Sequence, residues 1–103
     1  MEIIIVGCGK VGSTLAEQLC KEGHSIVVVD ISAKRLQNIT NSLDVMGIVG
    51  NGASYTVLSD AGVEHAHLLI AVTGSDELNL LCCLIAKKAG QCETIARVRN
   101  PIY

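Results

Sequence analysis

Aromatic residues are nearly missing from this chain. Two tyrosines make up 2% of its 103 residues, and there is no tryptophan or phenylalanine. A core must therefore be assembled from Ile, Val, Leu and Ala, the composition of sheets buried on both faces. The net charge is −2 and no basic run occurs, so nothing points to nucleic acid as a partner. No apolar stretch approaches the ~20 residues of a membrane span, which argues against direct membrane insertion. The cysteines, Cys8, Cys20, Cys82, Cys83 and Cys92, are odd in number and form no C-x-x-C pair. They read as reduced thiols packing as small apolar groups rather than as disulfides or zinc ligands. The first strand begins within two residues of the N-terminus, leaving no room for a signal peptide, and the expected address is cytoplasmic.

Half of the residues are hydrophobic and the length suits one small domain, here residues 1–103. Its organising stretch is Ile3-Ile4-Ile5-Val6-Gly7-Cys8-Gly9-Lys10-Val11-Gly12. Four apolar residues, three of them isoleucine, run into Gly-x-Gly-x-x-Gly, and Val11, Leu15, Ala16 and Leu19 then share a helical face. This is a strand, a glycine turn and a helix N-terminus in order. Gly7 makes the tight turn, Gly9 lets a pyrophosphate approach the backbone, and Gly12 lets the helix pack close to the sheet. The free N–H groups at the helix start attract phosphate. A second apolar strand, Ile26 to Asp30, ends in a carboxylate 18 residues after Gly12, near the spacing of a group that accepts from a ribose diol. The plainer alternative is a βαβ unit whose glycines serve only its turn and whose Asp30 caps the next helix. Cys8 lies near the helix N-terminus, where a thiolate is favoured; packing explains it more simply.

The rest of the chain alternates strands and helices. The first helix spans about Lys10 to Glu22 and stops at Gly23, a C′ glycine. Ser32 caps a helix with an apolar face of Leu36, Ile39 and Leu43. Asp44 to Val49 reads as a third strand, followed by Gly50-Asn51-Gly52. Ser54 caps a short helix carrying Val57, Leu58 and Ala61, closed by Gly62. His67 to Val72 reads as a fourth strand. Thr73-Gly74-Ser75-Asp76-Glu77 opens a helix with Lys87 and Lys88 in its last turn and Gly90 beyond, and Thr94 to Val98 reads as a fifth strand. The expected fold is an α/β, Rossmann-like, doubly wound parallel sheet of order 3-2-1-4-5, lacking the sixth strand of a full domain. The helix from about Asp76 to Lys88 is apolar nearly all round, with Leu78, Leu81, Cys82 and Ile85 on one face and Leu80, Cys83 and Leu84 on much of another. Such a helix needs cover on every side: one face packs on the sheet, and the other must meet a missing segment or a second subunit. A homo-oligomeric contact is expected there, and the chain reads as an N-terminal fragment of a longer protein.

In open α/β sheets ligands bind beyond the carboxyl ends of the strands. Those ends collect Gly7 to Gly12, Asp30, Asn51 with Gly52 and Ala53, Thr73 to Asp76, and Arg97 with Arg99. Gly9 and Lys10 would take a pyrophosphate, Asp30 the adenosine ribose, Asn51 and Ala53 the adenine side, and Thr73 and Asp76 the second half of the ligand. Plainer roles stay open: Thr73, Ser75 and Asp76 as helix caps, Asn51-Gly52 as a turn, and Arg97 and Arg99, on one face of the fifth strand, as a solvated edge. Asp30 repels a 2′-phosphate and so disfavours NADP, an inference that Lys34 and Arg35 weaken; NAD(H), ATP and ADP all keep the free diol. His24, His65 and His67 fall at the opposite ends of the strands, and no Ser-His-Asp or Cys-His arrangement presents itself at the nucleotide end. His65-x-His67 supplies too few ligands for a good metal site. The residues therefore bind a nucleotide without visible chemistry to perform on it. The competing classes are the cofactor domain of an NAD-dependent dehydrogenase and a sugar-nucleotide or general adenylate sensor.

Gly7-Cys8-Gly9-Lys10-Val11-Gly12, Val29-Asp30, Val49-Gly50-Asn51-Gly52-Ala53-Ser54, Leu58 to Glu64, Leu69 to Glu77 and Ala96-Arg97-Val98-Arg99 occur in one series. That series resembles the TrkA N-terminal domains of RCK or KTN type, found in regulatory subunits of bacterial Trk potassium uptake systems. The resemblance covers essentially the whole chain. It implies binding of NAD(H) or of ATP/ADP, assembly into dimers or rings, and control of a membrane K⁺-translocating partner from the inner face of the cell membrane. By position it implies that Gly7, Gly9, Lys10 and Gly12, with Cys8 and Val11 between them, form the phosphate loop. It assigns Asp30 to the ribose, Asn51, Gly52 and Ala53 to the adenine side, Thr73 and Asp76 to the second half, and Arg97 and Arg99 to a basic strand. His65 and His67 depart from the acidic residues usual there.

Overall fold

The computed structural model describes residues 1–100. Five parallel strands form one sheet: β1 (Glu2–Val6), β2 (Ser25–Asp30), β3 (Met46–Val49), β4 (Leu68–Ala71) and β5 (Glu93–Ala96), in the order β3-β2-β1-β4-β5. The helices between them are α1 (Lys10–Lys21), α2 (Ala33–Ser42), α3 (Tyr55–Asp60) and α4 (Asp76–Ala89). The doubly wound order read from the sequence is the one observed.

The continuous apolar runs explain the layering. In a strand, successive side chains point to opposite faces. Ile3 and Ile5 of β1 pack with Ile26, Val28 and Ile70 under Ala16 of α1 and Leu36 and Ile39 of α2. Ile4 and Val6 pack on the other face with Val29, Leu69 and Ala71 under Leu58 of α3 and Cys82, Cys83 and Ala86 of α4. Each fully buried Ile or Leu contributes about 1.5–3 kcal/mol, so β1, paired on both edges and covered on both faces, is the centre of the fold.

The helix ends follow their residues. Gly23 takes φ +88° after α1, where its N–H bonds to Cys20 O at 3.0 Å and the N–H of His24 reaches Leu19 O at 3.2 Å. These paired bonds make a Schellman ending. Ser32, Ser54 and Ser75 cap α2, α3 and α4 through the N–H groups of Arg35, Val57 and Leu78.

Two expectations are corrected. The sheet-facing stripe of α4 is Asn79, Cys82, Cys83 and Ala86, so Cys83 points inward while Leu81 points out with Leu80 and Leu84. The displacement comes from Asn79, a polar residue that an apolar count assigns to solvent but that anchors the buried stripe at i, i+3, i+4 and i+7. The second correction concerns Arg97 and Arg99, which lie beyond β5 rather than on it. Arg97 N–H still bonds to Ala71 O at 2.9 Å, but β4 ends there and the chain turns toward α4, leaving no further ladder partner.

Candidate functional site

The carboxyl ends of β1, β2 and β4 open into a cleft of about 480 Å³. Its back is apolar, from Val6, Val29 and Val72. The loop Gly7-Cys8-Gly9 and the start of α1, Lys10 and Val11, form one wall, and Asp30, Ile31 and Arg35 form another. Gly50 and Gly52 flank the β3 side; Thr73, Gly74, Ser75, Leu78 and Arg97 close the β4–β5 side.

The glycine loop is built by contact. Gly7 takes φ +107°, and a Cβ there would lie 2.9 Å from the backbone of Val72 and Thr73. A Cβ on Gly12 would lie 1.8 Å from Gly7 O, so α1 approaches the strand end only because position 12 is glycine. Gly9 differs: a Cβ there would meet nothing within 4 Å, leaving open space on the cleft side of the loop. Gly9 is also the N-cap of α1, with no side-chain cap bond. The first N–H groups of α1 therefore lack the serine oxygen that the other three helices have, which suits them to an anion.

Asp30 is 7% exposed and already engaged: Oδ2 accepts from Cys8 N–H at 2.7 Å and Oδ1 from Ser32 N–H at 2.8 Å. Each carboxylate oxygen keeps a further acceptor site. Cys8 itself is buried, its Sγ 3.8 Å from Ser13 Oγ and 3.6 Å from Arg35 O. Burial pushes its thiol above the ordinary cysteine value, outweighing the Ser13 contact. Burial thus opposes the thiolate that a helix N-terminus would favour; the residue packs, and its backbone N–H serves the loop.

Of the residues singled out in the sequence, Gly7, Cys8, Gly9, Lys10, Val11, Asp30, Gly52, Thr73 and Arg97 line the cleft, whereas Gly12, Asn51, Ala53, Asp76 and Arg99 stand outside its lining. Gly12 lies behind the loop. Asn51 Oδ1 accepts from Ala53 N–H at 2.8 Å, an Asx turn at the mouth. Asp76 accepts from the N–H groups of Arg99 at 3.0 Å and Asn100 at 2.9 Å, binding the segment after β5 to the start of α4. Those backbone bonds, Arg99 first, hold its carboxyl below the usual carboxylate range. Thr73 Oγ1 is 2.7 Å from Asn79 Oδ1 and accepts from Ser75 N–H at 3.2 Å, so its hydroxyl proton is used internally. Arg97 Nη2 donates to Thr73 O at 2.8 Å, and Arg99 Nη2 donates to Gly74 O.

Arg35, weighed in the sequence only for its bearing on NADP, lines the cleft beside Asp30 in the first turn of α2. Other contributors were missed in the sequence. Ile31, 76% exposed, forms an apolar lip directly after Asp30. Asn79 is fully buried behind Thr73; its signal was a lone amide inside an apolar helix. His24 and His67 stand at the opposite ends of the strands, where Nδ1 of His67 accepts from Glu2 N–H at 3.0 Å. Among the described residues no three His, Cys, Asp or Glu side chains group as a metal site, and no helix is long and apolar enough to cross a membrane.

Comparison with known proteins places the arrangement. The chain is 46% identical over 104 residues to the Trk system potassium uptake protein TrkA of Halomonas elongata, covering 100% of this chain and 23% of that one. It is likewise 46% identical over 103 residues to a TrkA homolog of Archaeoglobus fulgidus, with the same coverage. The chain thus spans about a quarter of the length of these relatives. Among solved structures, the GsuK channel bound to NAD superposes with a TM-score of 0.86 at 27% identity, over 98% of this chain and 18% of that one. The TrkA-N domain family matches residues 3–103, and the chain belongs to that family.

Proposed function

We propose that this chain is a nucleotide-sensing regulatory domain that binds NAD(H), or ATP or ADP in its place. In the whole protein it would set the activity of a membrane K⁺-translocating partner. The observation that carries this reading is the pairing of an uncapped α1 N-terminus, open at Gly9, with the Asp30 carboxylate across the same cleft. Phosphate at the first and a ribose diol at the second is the division of labour that such a cleft offers. TrkA proteins at 46% identity and the NAD-bound GsuK channel support the potassium and nucleotide parts of it. The placing of the histidines away from the cleft supports binding over catalysis.

Regulation needs only differential affinity. A nucleotide shifts two arrangements of the assembled protein by the ratio of its affinities for them, and by no more. The three leucines exposed on α4 support a homodimer or higher assembly as the unit that changes. The protein would work in the cytoplasm, peripheral to the membrane through its partner.

Calorimetric titration with NADH, NAD⁺, ATP, ADP and NADPH tests the reading. Binding of the ligands with a free diol, with NADPH weaker by about tenfold or more, is the expected result. Failure of all five to bind the chain and its full-length parent would overturn it.

A further inference from the structure

Asn79 is fully buried, and all of its hydrogen-bonding capacity is directed at two residues of the cleft wall. Its Oδ1 accepts from the N–H of Thr73 at 2.8 Å and from the Thr73 hydroxyl at 2.7 Å. Its Nδ2 donates to Thr73 O at 3.2 Å and to Arg97 O at 3.0 Å. Thr73 O in turn accepts from Arg97 Nη2 at 2.8 Å. One side chain on α4 thus grips both the backbone of Arg97 and the carbonyl on which the Arg97 guanidinium rests.

The guanidinium is left incomplete. Arg97 Nε is buried and has no hydrogen-bond partner among the described residues, in a side chain that lines the cleft. A buried donor of a charged group left without an acceptor is costly, and it marks the guanidinium as the group on this side of the cleft with hydrogen-bonding capacity to spare. Thr73, whose hydroxyl proton is turned inward to Asn79, cannot be the donor on this side of the cleft. Arg97 follows β5, three strand spacings or about 14 Å across the sheet from Asp30 on β2. A ligand anchored by its adenosine ribose at Asp30 meets Arg97 only with its far half.

We infer that Asn79 is a positioning residue for the far half of the nucleotide. It fixes Thr73 and the Arg97 backbone so that the Arg97 guanidinium meets an acceptor oxygen beyond the first phosphate. The oxygen could belong to the outer phosphates of ATP or to the nicotinamide-side half of NADH, and the two ligands separate these sources. The inference rests on the cleft being the nucleotide site.

The test compares four forms of the chain: unaltered, Asn79→Asp, Arg97→Ala and the double variant. Each is titrated with NADH, ATP and AMP after a thermal melt shows that it is folded. Asn79→Asp keeps the acceptor for Thr73 and loses the donors to Thr73 O and Arg97 O. Both single substitutions should weaken NADH, ATP or both by about tenfold. AMP, which ends at the glycine loop, should hold within about twofold. The double variant should bind no more weakly than Arg97→Ala alone, because Asn79 acts through Arg97. Parallel loss of AMP, or additive effects in the double variant, would reduce Asn79 to a structural residue and overturn the inference. Should Asn79→Asp not fold, Asn79→Gln and Asn79→Ser are put through the same cycle. Unaltered affinities in a folded Asn79 variant also overturn the inference while leaving the nucleotide reading intact. Failure of the unaltered chain to bind any of the three would instead remove that reading, and the inference with it.

Discussion

The backbone N–H of Cys8 donates to Oδ2 of Asp30 across 2.7 Å, tying the glycine loop to the end of the neighbouring strand. The same carboxylate takes the N–H of Ser32, so it is fixed before any ligand arrives. Asp30→Ala leaves the buried Cys8 N–H without an acceptor and removes the ribose acceptor. The expected outcome is a loss of about 1.5–3 kcal/mol in urea denaturation, together with loss of NADH binding by calorimetry. Asp30→Asn should lie between, since it keeps one acceptor oxygen. Unchanged NADH affinity in Asp30→Ala would remove Asp30 from the site.

The glycines separate folding from binding. In Gly12→Ala the new Cβ would collide with Gly7 O, and α1 must move away from the sheet. Such overpacking costs about 1–3 kcal/mol or more. Gly9→Ala meets no atom and sits at φ −76°, so its stability should stay within about 1 kcal/mol of the parent. Its NADH affinity should nevertheless fall, because the added methyl group occupies the phosphate path. Paired melts and titrations of the two variants check this; equal destabilisation of both would contradict it.

The sheet order was legible because every strand is a short apolar run and every helix carries a recognisable start or stop, from Ser32 to Gly62. The cleft was legible as far as backbone and charge define it, at Gly7 to Val11 and at Asp30. What stayed hidden was how side chains spend their hydrogen bonds. Asn51 and Thr73 carry polar groups suited to a ligand, and their side chains bond to Ala53 and Asn79. Asp76 is typed as a helix opener and binds the segment after β5. A linear sequence shows which groups can bond, not which partner lies nearer. Asn79 was hidden for the opposite reason: a polar residue in an amphipathic pattern is assigned to water until all four of its bonds are found inside.

Acid should expose the Asp76 bonds. The carboxyl titrates lower in the folded chain than its unfolded value of about 3.9. A depressed carboxyl contributes stability above the unfolded value and loses it as pH falls through the folded one. Asp76→Asn should therefore be less stable than the parent by a constant amount above about pH 5, and the gap should narrow below about pH 4. Urea denaturation from pH 3 to 6 measures it. A gap that does not change with pH would show that the Arg99 and Asn100 bonds do not depend on the charge.

The thiols should react in order of burial. Burial pushes Cys8, Cys83 and Cys92 above the ordinary value and Cys82 up to about 12, while Cys20 is half-buried near the end of α1. At pH 8 the folded chain should label at Cys20 first, with the other four labelled only on unfolding. Peptide mapping after timed alkylation reads the order. Early labelling of Cys8 would mean that the glycine loop opens.

Leu80, Leu81 and Leu84 leave 41%, 46% and 56% of their surfaces exposed on the outer face of α4. Placed at i, i+1 and i+4, they form one patch. Across a two-fold axis six leucines would be covered, each gaining about half of the 1.5–3 kcal/mol of full burial. That sum, on the order of 5–9 kcal/mol, only just meets the 4–15 kcal/mol cost of association. At the favourable ends of both ranges about 5 kcal/mol remains, a Kd of a few tenths of a millimolar, so this chain should self-associate weakly, at about millimolar concentration, and more tightly where further contacts add to the patch. Leu84→Glu should abolish the association while changing stability by no more than about 0.5 kcal/mol, as surface substitutions do. Sedimentation across a concentration series checks both forms. A parent that stays monomeric at millimolar concentration, or a Leu84→Glu chain that associates as its parent does, would show that another surface covers α4 or that none does.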